Sequence, residues 1–329
     1  MELQLADSSG IQLTRLQYCN FDADLNKEKD FELSMDIAHY DKRIKDKCRV
    51  FVPDTEIGGL IGEPFIDTGT NTISFSGYAW RGLLNKKILI PPVGEDYLKK
   101  TGELNNILKE LVEPRFSGLF KVSDKNTAVV LYNYQFDRFC TLYDGVVKML
   151  KSVGYRLNIF YNQGYPNGSG WVEIEAVPIV DYSDSEELSQ DSKLSFSMRE
   201  KKNGVNHLIV VGKGELQERV VIHLYVQGDG SIGKEQYYTG IDEIEEVYEN
   251  TSTDTAELEE AGTEQLQELM NCKTLKMDVA SLGIDISIGD IIGGRDQITG
   301  MYMAKPLDNI IVTIKDGVMS KEYKLEGAD

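Results

Sequence analysis

The chain has 329 residues, with 54 acidic against 35 basic side chains and a formal net charge of −19. That surplus makes duplex nucleic acid and anionic membrane poor partners for the surface at large, and the length calls for about two to four domains rather than one small core. No basic segment followed by an apolar stretch opens the sequence, and no apolar run approaches ~20 residues, so the expectation is a protein without secretory signal or membrane span, folded in the cytoplasm.

Residues 1–93 read as short strands. Phe31, Leu33, Met35 and Ile37 alternate with Glu32, Ser34 and Asp36, the period of a half-buried strand. Further strands are predicted at Arg49–Val52, stopped by Pro53-Asp54, at Ile73–Tyr78, and at Lys86–Ile90 before Pro91-Pro92. From Glu95 the period changes to that of a helix. Leu104, Ile107, Leu108 and Leu111 share one face and Pro114 supplies a stop. Thr141, with Asp144 three residues on, caps a second helix through Leu142, Val146, Met149, Leu150 and Val153, which Gly154 ends. Tyr155–Tyr161 and Trp171–Val177 then flank a Gly/Asn/Pro loop as a β-hairpin.

Asp181–Asp191 is acidic and serine-rich and reads as an exposed crossing, followed by a short strand near Ser195–Met198. His207–Val211 and Val220–Val226 form a two-stranded ribbon. In its second run Val220, Ile222, Leu224 and Val226 face one way and Val221, His223 and Tyr225 the other. Gly240–Cys272 holds eleven acidic residues and no lysine or arginine. Leu258, Ala261, Gln265, Leu266 and Leu269 place a modest apolar stripe there on a helix starting near Thr253 or Asp254, whose first-turn acids suit its dipole. Strands follow at Lys276–Ala280, Asp290–Gly293, Met301–Lys305, Asn309–Lys315 and Met319–Leu325, punctuated by Gly283, Gly289, Gly300 and Asp316-Gly317.

The expected fold is therefore α+β and β-rich. A first small β-barrel is expected from residues 1–93 with about 173–202, an α/β domain from 94–172, a second barrel from 203–235 with 273–329, and an acidic helical insertion over 236–272.

Chemical motifs are sparse. Gly228-Asp229-Gly230-Ser231-Ile232-Gly233 satisfies GxGxxG after a strand, but Lys234–Gly240 makes a poor helix to receive a pyrophosphate, so the motif reads as a turn. Gly212-Lys213-Gly214 lacks the spacing of a P-loop. Cys19, Cys48, Cys140 and Cys272 are scattered and read as reduced structural thiols. His39, His207 and His223 show no zinc spacing; His207 and His223 lie on neighbouring strands and can meet, and sheet-face histidines satisfied by hydrogen bonds are the plain reading. The acidic pairs Asp242-Glu243, Glu245-Glu246 and Glu259-Glu260 offer many carboxylates for a hydrolase, too many to single one out. Trp80 and Trp171 sit in predicted strands and read as core rather than as a sugar platform. No catalytic, cofactor or metal residue is assigned, and no cofactor is expected.

Two stretches carry a family pattern. Gly212-Lys213-Gly214-Glu215-Leu216 through Arg219 and Val220–Val226 to Asp229-Gly230 resembles siphophage tail proteins of the Reqi-Pepy type. So does Ile288-Gly289-Asp290-Ile291-Ile292-Gly293 with Arg295-Asp296 and Thr299-Gly300, followed by Ile310–Asp316-Gly317. Those proteins are in turn similar to baseplate hub proteins and to the 43-kDa tail protein of Mu-like prophages. The resemblance implies a non-enzymatic hub with two related small barrels, three copies forming a ring that matches a threefold tip to a sixfold tail tube. It further implies a virion tail protein assembled in the bacterial host cytoplasm. Its partners would be its own copies, the tail tube or distal tail protein, and tape-measure or tail-tip proteins, with DNA passing transiently through the central channel. Such hubs often precede a lysin; this chain ends just after the last predicted strand, so docking to a separate partner, or service as a hub alone, is the expectation. A carbohydrate- or receptor-binding module and a cell-wall hydrolase are the alternatives. The acidic 240–272 segment would either line the channel or simply face solvent.

Overall fold

The computed structural model describes residues 2–26, 30–164, 168–183, 196–200, 203–214, 216–251, 255–270, 273–277, 286–295, 300, 302–315 and 317–325. Most of the predicted 181–191 crossing, Thr253-Asp254, Ala280, Gly283, Asp296, Thr299 and Asp316 lie outside the described residues. The chain divides into two units, Met1–Phe196 with Lys276–Ala328, and Ser197–Leu275. No helix among the described residues is long and apolar enough to cross a membrane.

The first unit opens with β1 (Gln4–Ala6), β2 (Gln12–Arg15), β3 (Cys19–Asp24), β4 (Asp30–Asp36), β5 (Arg49–Phe51), β6 (Gly58–Asp67), β7 (Thr72–Ala79) and α1 (Trp80–Asn85). It continues with β8 (Lys99–Glu103), α2 (Leu104–Val112), β9 (Phe120–Val122), β10 (Val130–Gln135), α3 (Leu142–Lys151), β11 (Tyr155–Asn162) and β12 (Trp171–Pro178). The second unit holds β13 (Phe196–Glu200), β14 (His207–Val211), β15 (Val221–Val226), β16 (Ile232–Gly233), β17 (Glu245–Glu249), α4 (Thr255–Leu269) and β18 (Lys273–Met277). The chain then returns to the first with β19 (Ile291–Arg295), β20 (Tyr302–Lys315) and β21 (Val318–Leu325).

The protein is α+β and β-rich, and among the described residues its strands form several separate sheets and close no barrel. The largest sheet runs β19-β20-β3-β4-β7-β6-β5-β1-β2, with β21 also paired to β20. This departs from the expected grouping, which put 273–329 with 203–235. β20 instead pairs antiparallel with β3, Val312 opposite Ala23 and Ile314 opposite Phe21, and these four side chains are buried. The two predicted strands 301–305 and 309–315 are one continuous strand. Pro306 falls where β20 changes partner from β19 to β21, so its missing N–H does not break the strand.

The alternation expected along β4 holds: Phe31, Leu33 and Met35 are buried while Glu32 and Asp36 are exposed. Phe31 stacks on Phe21 at 5.3 Å and has Gly77 as its cross-strand partner. A Cβ on Gly77 would stand 1.9 Å from the Leu60 carbonyl oxygen and 2.9 Å from the Phe31 ring. The glycine thus makes room for the ring that ties β3 to β7.

α2 and α3 pack with the β11-β12-β9 sheet. Leu104, Ile107, Leu108 and Leu111 from α2, Leu142, Val146, Met149 and Leu150 from α3, and Leu157, Ile159, Val172 and Ile174 from the hairpin share one core. Phe51, Trp80 and Leu84 belong to the same core, and Tyr161 stacks on Phe51 at 3.8 Å and on Trp80 at 5.8 Å. The α/β segment is therefore fused to the first sheet by aromatic packing. Trp80 begins a helix rather than lying in a strand, and Lys86–Ile90 is not a strand: Leu89 donates its N–H to Cys140 and packs beneath the α3 entrance. Thr141 caps α3 through Asp144 N–H at 3.0 Å, as the sequence predicts.

Both tryptophans lie in the first unit, so their fluorescence follows its unfolding alone. Gly77→Ala is expected to destabilise that unit by about 1–3 kcal/mol or more, read as a lower urea midpoint of tryptophan emission at unchanged slope. Glu103, the α2 cap, gives a pH signature. Burial pushes its carboxyl up, but donors from Thr127 Oγ1 (2.6 Å), Thr127 N–H (2.9 Å) and Asn106 N–H (3.0 Å) outweigh this and hold it below its ordinary value of 4.5. A depressed carboxyl contributes stability that is present above its unfolded value and lost as pH falls through the folded one. The midpoint difference between wild type and Glu103→Gln should be constant above about pH 5.5 and shrink toward about pH 3.

Candidate functional site

In the second unit the sheet order is β16-β15-β14-β17, and β13 pairs with β18. Leu208 and Val210 of β14 and Leu224 and Val226 of β15 form a core with Leu258 and Leu266 of α4. This is the ribbon face expected to be the more buried. The period of two sends His207, His223 and Tyr225 to the other face.

Register then brings charged groups together. His207 has Tyr225 as partner on β15 and Glu245 as partner on β17, which runs parallel to β14. His207 is buried, at 6% exposure. Its Nε2 lies 2.8 Å from His223 Nδ1, and its Nδ1 lies 2.8 Å from Glu243 Oε1 and 3.0 Å from Glu245 Oε1. Tyr225 stacks on the imidazole at 4.2 Å. Gln236 Nε2 donates to Glu243 Oε1 at 2.7 Å. The preceding residue fixes the approach of the acidic strand: Asn206 Nδ2 donates to Asp242 O at 2.6 Å and Asn206 Oδ1 accepts from Ile244 N–H at 2.9 Å. One buried imidazole facing two carboxylates can hold a shared proton or a cation, and His207, Glu243 and Glu245 offer donor atoms all within 4.8 Å of one another.

His207 and His223 meet, as their neighbouring strands allow. Glu243 and Glu245 are offered by the sequence only among many carboxylates and are not brought to the histidines, because 236–272 reads there as a helical insertion. β17 is in fact a strand, yet its sequence EEVYE carries no apolar alternation to announce it; the β-favouring pair Val247-Tyr248 is its sequence signal. Of the other acidic pairs, Glu259 takes an ion pair from Lys234 at 2.8 Å. Gly228–Gly233 is a turn closed by Asp229, whose Oδ1 accepts from Ser231 N–H and Oγ, and it leads into β16 rather than a helix.

The first unit buries two ion pairs beside a cavity of about 170 Å³ lined by residues including Arg81, Tyr143, Arg156 and Leu307. Arg81, 2% exposed, forms a two-pronged pair with Glu56 and donates to Tyr143 OH (3.2 Å) and Leu157 O (3.3 Å). Burial works against its charge, and the Glu56 carboxylate outweighs burial, so the guanidinium is held above its ordinary value. Arg156 Nε donates to Asp290 Oδ1 at 2.6 Å, and Asp290 also accepts from Val180 and Ser287 N–H groups. Asp290, read from sequence as the first residue of a strand, is thus a buried anchor for β11 placed just before β19. Trp80 is 1% exposed, and Lys121 Nζ lies 3.9 Å over the half-buried Trp171 ring, so neither indole offers an open face for a sugar.

No protein-family model matches the chain, and no curated protein sequence matches it. Its structural neighbours include phage tail and baseplate proteins. A tail protein from Neisseria meningitidis MC58 is 13% identical, the match covering 99% of this chain and 96% of that one at a TM-score of 0.47. The 43 kDa tail protein of prophage MuSo2 from Shewanella oneidensis is 14% identical, covering 99% and 98% at 0.48. A chain of the phage P2 baseplate in its activated conformation is 10% identical, covering 100% and 99% at 0.46. At scores below 0.5 these likenesses decide neither the fold nor the role of this chain.

Glu56→Gln leaves Arg81 buried without its counter-charge and should destabilise the first unit by about 3–5 kcal/mol. Converting both residues to methionine should recover much of that loss. Thermal melts followed by tryptophan emission test both, and an unchanged midpoint in Glu56→Gln would show the pair to be inert.

Proposed function

We propose that this chain is a structural, non-enzymatic component of a phage or prophage tail tip. In this reading it is a hub that assembles as a trimer and joins the tail tube to tip, receptor-binding or lysin proteins. Its place is the virion tail, built in the host cytoplasm. The residue patterns of Gly212–Gly230 and Ile288–Gly317 motivate the reading, and exposed apolar side chains at the rim of the large sheet support it physically. Among the described strands β2 pairs only with β1. β21 presents Val318 at 71% exposure, and the β6–β7 hairpin presents Phe65 and Ile66 at 65% and 59%. Unpaired strand edges beside exposed apolar side chains are templates for another chain, and a closed ring of identical copies covers them. In such a ring neighbouring copies would complete the barrel-like walls that one chain leaves open.

Light scattering should give a mass three times the 37.0 kDa of one chain, alone or with the tail-tube and tape-measure proteins encoded beside it, and negative-stain images should show a ring. Val318→Lys combined with Phe65→Lys should dissociate it without lowering the tryptophan melting midpoint. A chain that stays monomeric alone and with those partners would overturn the proposal.

A further inference from the structure

We infer that His207, Glu243 and Glu245 bind one divalent transition-metal ion, with Zn2+ the best-matched, and that the ion pins strand β17 to β14. The site belongs to the second unit alone and is independent of any role in tail assembly.

The donor set is one imidazole nitrogen from β14 and two carboxylate oxygens from the stretch that enters β17. Zinc bonds of about 2.0–2.2 Å in a tetrahedron set donors about 3.4 Å apart. The observed separations from His207 Nδ1, 2.8 Å and 3.0 Å, need to open by only roughly half an ångström. Glutamate side chains can supply that by rotation, and Glu245, whose side chain is 55% exposed, is free to move and leaves a coordination position open to water.

A second observation points the same way. A ligating histidine is normally held by a hydrogen bond at its other ring nitrogen, which fixes ring orientation and tautomer. His223 Nδ1 stands 2.8 Å from His207 Nε2, and Tyr225 stacks against the ring, so Nδ1 is aimed at the carboxylates. Glu243 is itself braced by Gln236 and by the Asn206 clamp on its neighbours. Charge completes the case. Two carboxylates crowd one buried imidazole, and among the described residues neither is paired with lysine or arginine. Imidazole with carboxylate suits zinc, manganese or cobalt, while the nitrogen donor disfavours calcium and magnesium, which prefer oxygen alone.

The ion would act at an edge of the sheet. Among the described residues β17 is an edge strand of five residues with Glu245, Glu246 and Val247 exposed. A bond from His207 to Glu245 ties it to the central strand at the register pair that begins the ladder.

The test is calorimetric titration of the chelator-treated full chain with Zn2+. One saturable site per chain is expected, with a raised melting temperature and, with Co2+ as probe, visible absorption of a nitrogen- and oxygen-ligated ion. Glu245→Gln, an exposed change that leaves the fold intact, should weaken binding at least about tenfold, and His223→Phe by about 10–100-fold through loss of ring orientation. His207→Gln should abolish the site. Absence of saturable Zn2+ binding, equal affinity in wild type and Glu245→Gln, or equal uptake of Ca2+ would each overturn the inference.

Discussion

The antiparallel pairing of β20 with β3 is the constraint on which the architecture depends. It joins the C-terminal part of the chain to its N-terminal part inside one sheet, so the chain that leaves this sheet after β7 must come back to it at β19. The α/β segment returns by packing Tyr161 against Phe51 and Trp80. The strands between β12 and β19 form other sheets, β13 pairing with β18 and β14 to β17 making one of their own. A contact between segments so distant in sequence is costly in loop entropy until the intervening parts have formed. That favours an order in which the locally encoded pieces appear first and the β20–β3 seam closes late.

Those local pieces are also the parts legible in the sequence. The α3 boundaries could be read from Thr141, Asp144 and Gly154 because capping is decided within one turn. The hairpin β11–β12 and the alternation in β4 are likewise short-range patterns. Partner choice is different in kind. Nothing in Asn309–Lys315 says whether it will meet Met319–Leu325 alone or also Phe21–Asp24, since both offer alternating apolar residues. Around Trp80 the strand expectation fails for a similar reason: periodicity over six residues cannot separate a buried helical turn from a strand. At the histidine cluster, His207 and His223 were visible as neighbours because an antiparallel ribbon is local. Glu243 and Glu245 were not, because a parallel strand arrives by a crossover whose landing place the local sequence does not encode.

The acidic stretch 240–272 shows how composition can mislead. Read as one helical insertion over 236–272, it holds two elements: its first part is the strand that meets β14, and its second is α4, which begins at Thr255, next to the Thr253–Asp254 start expected from the sequence. α4 is held by few apolar contacts, Leu258 and Leu266 above all, and by the closeness of Gly262 to Val210, where a Cβ would stand 2.5 Å from the valine. The negative charge that dominates the segment therefore decorates two elements rather than defining one.

The insertion of the second unit between β12 and β19 has a mechanical consequence. Tension applied between the N-terminal strand β1 and the C-terminal strand β21 passes through the large sheet, where β5, β6, β7, β4, β3 and β20 lie in sequence between them. The load is therefore borne strand to strand by the ladder hydrogen bonds of that sheet, to which the residues inserted between β12 and β19 contribute no strand.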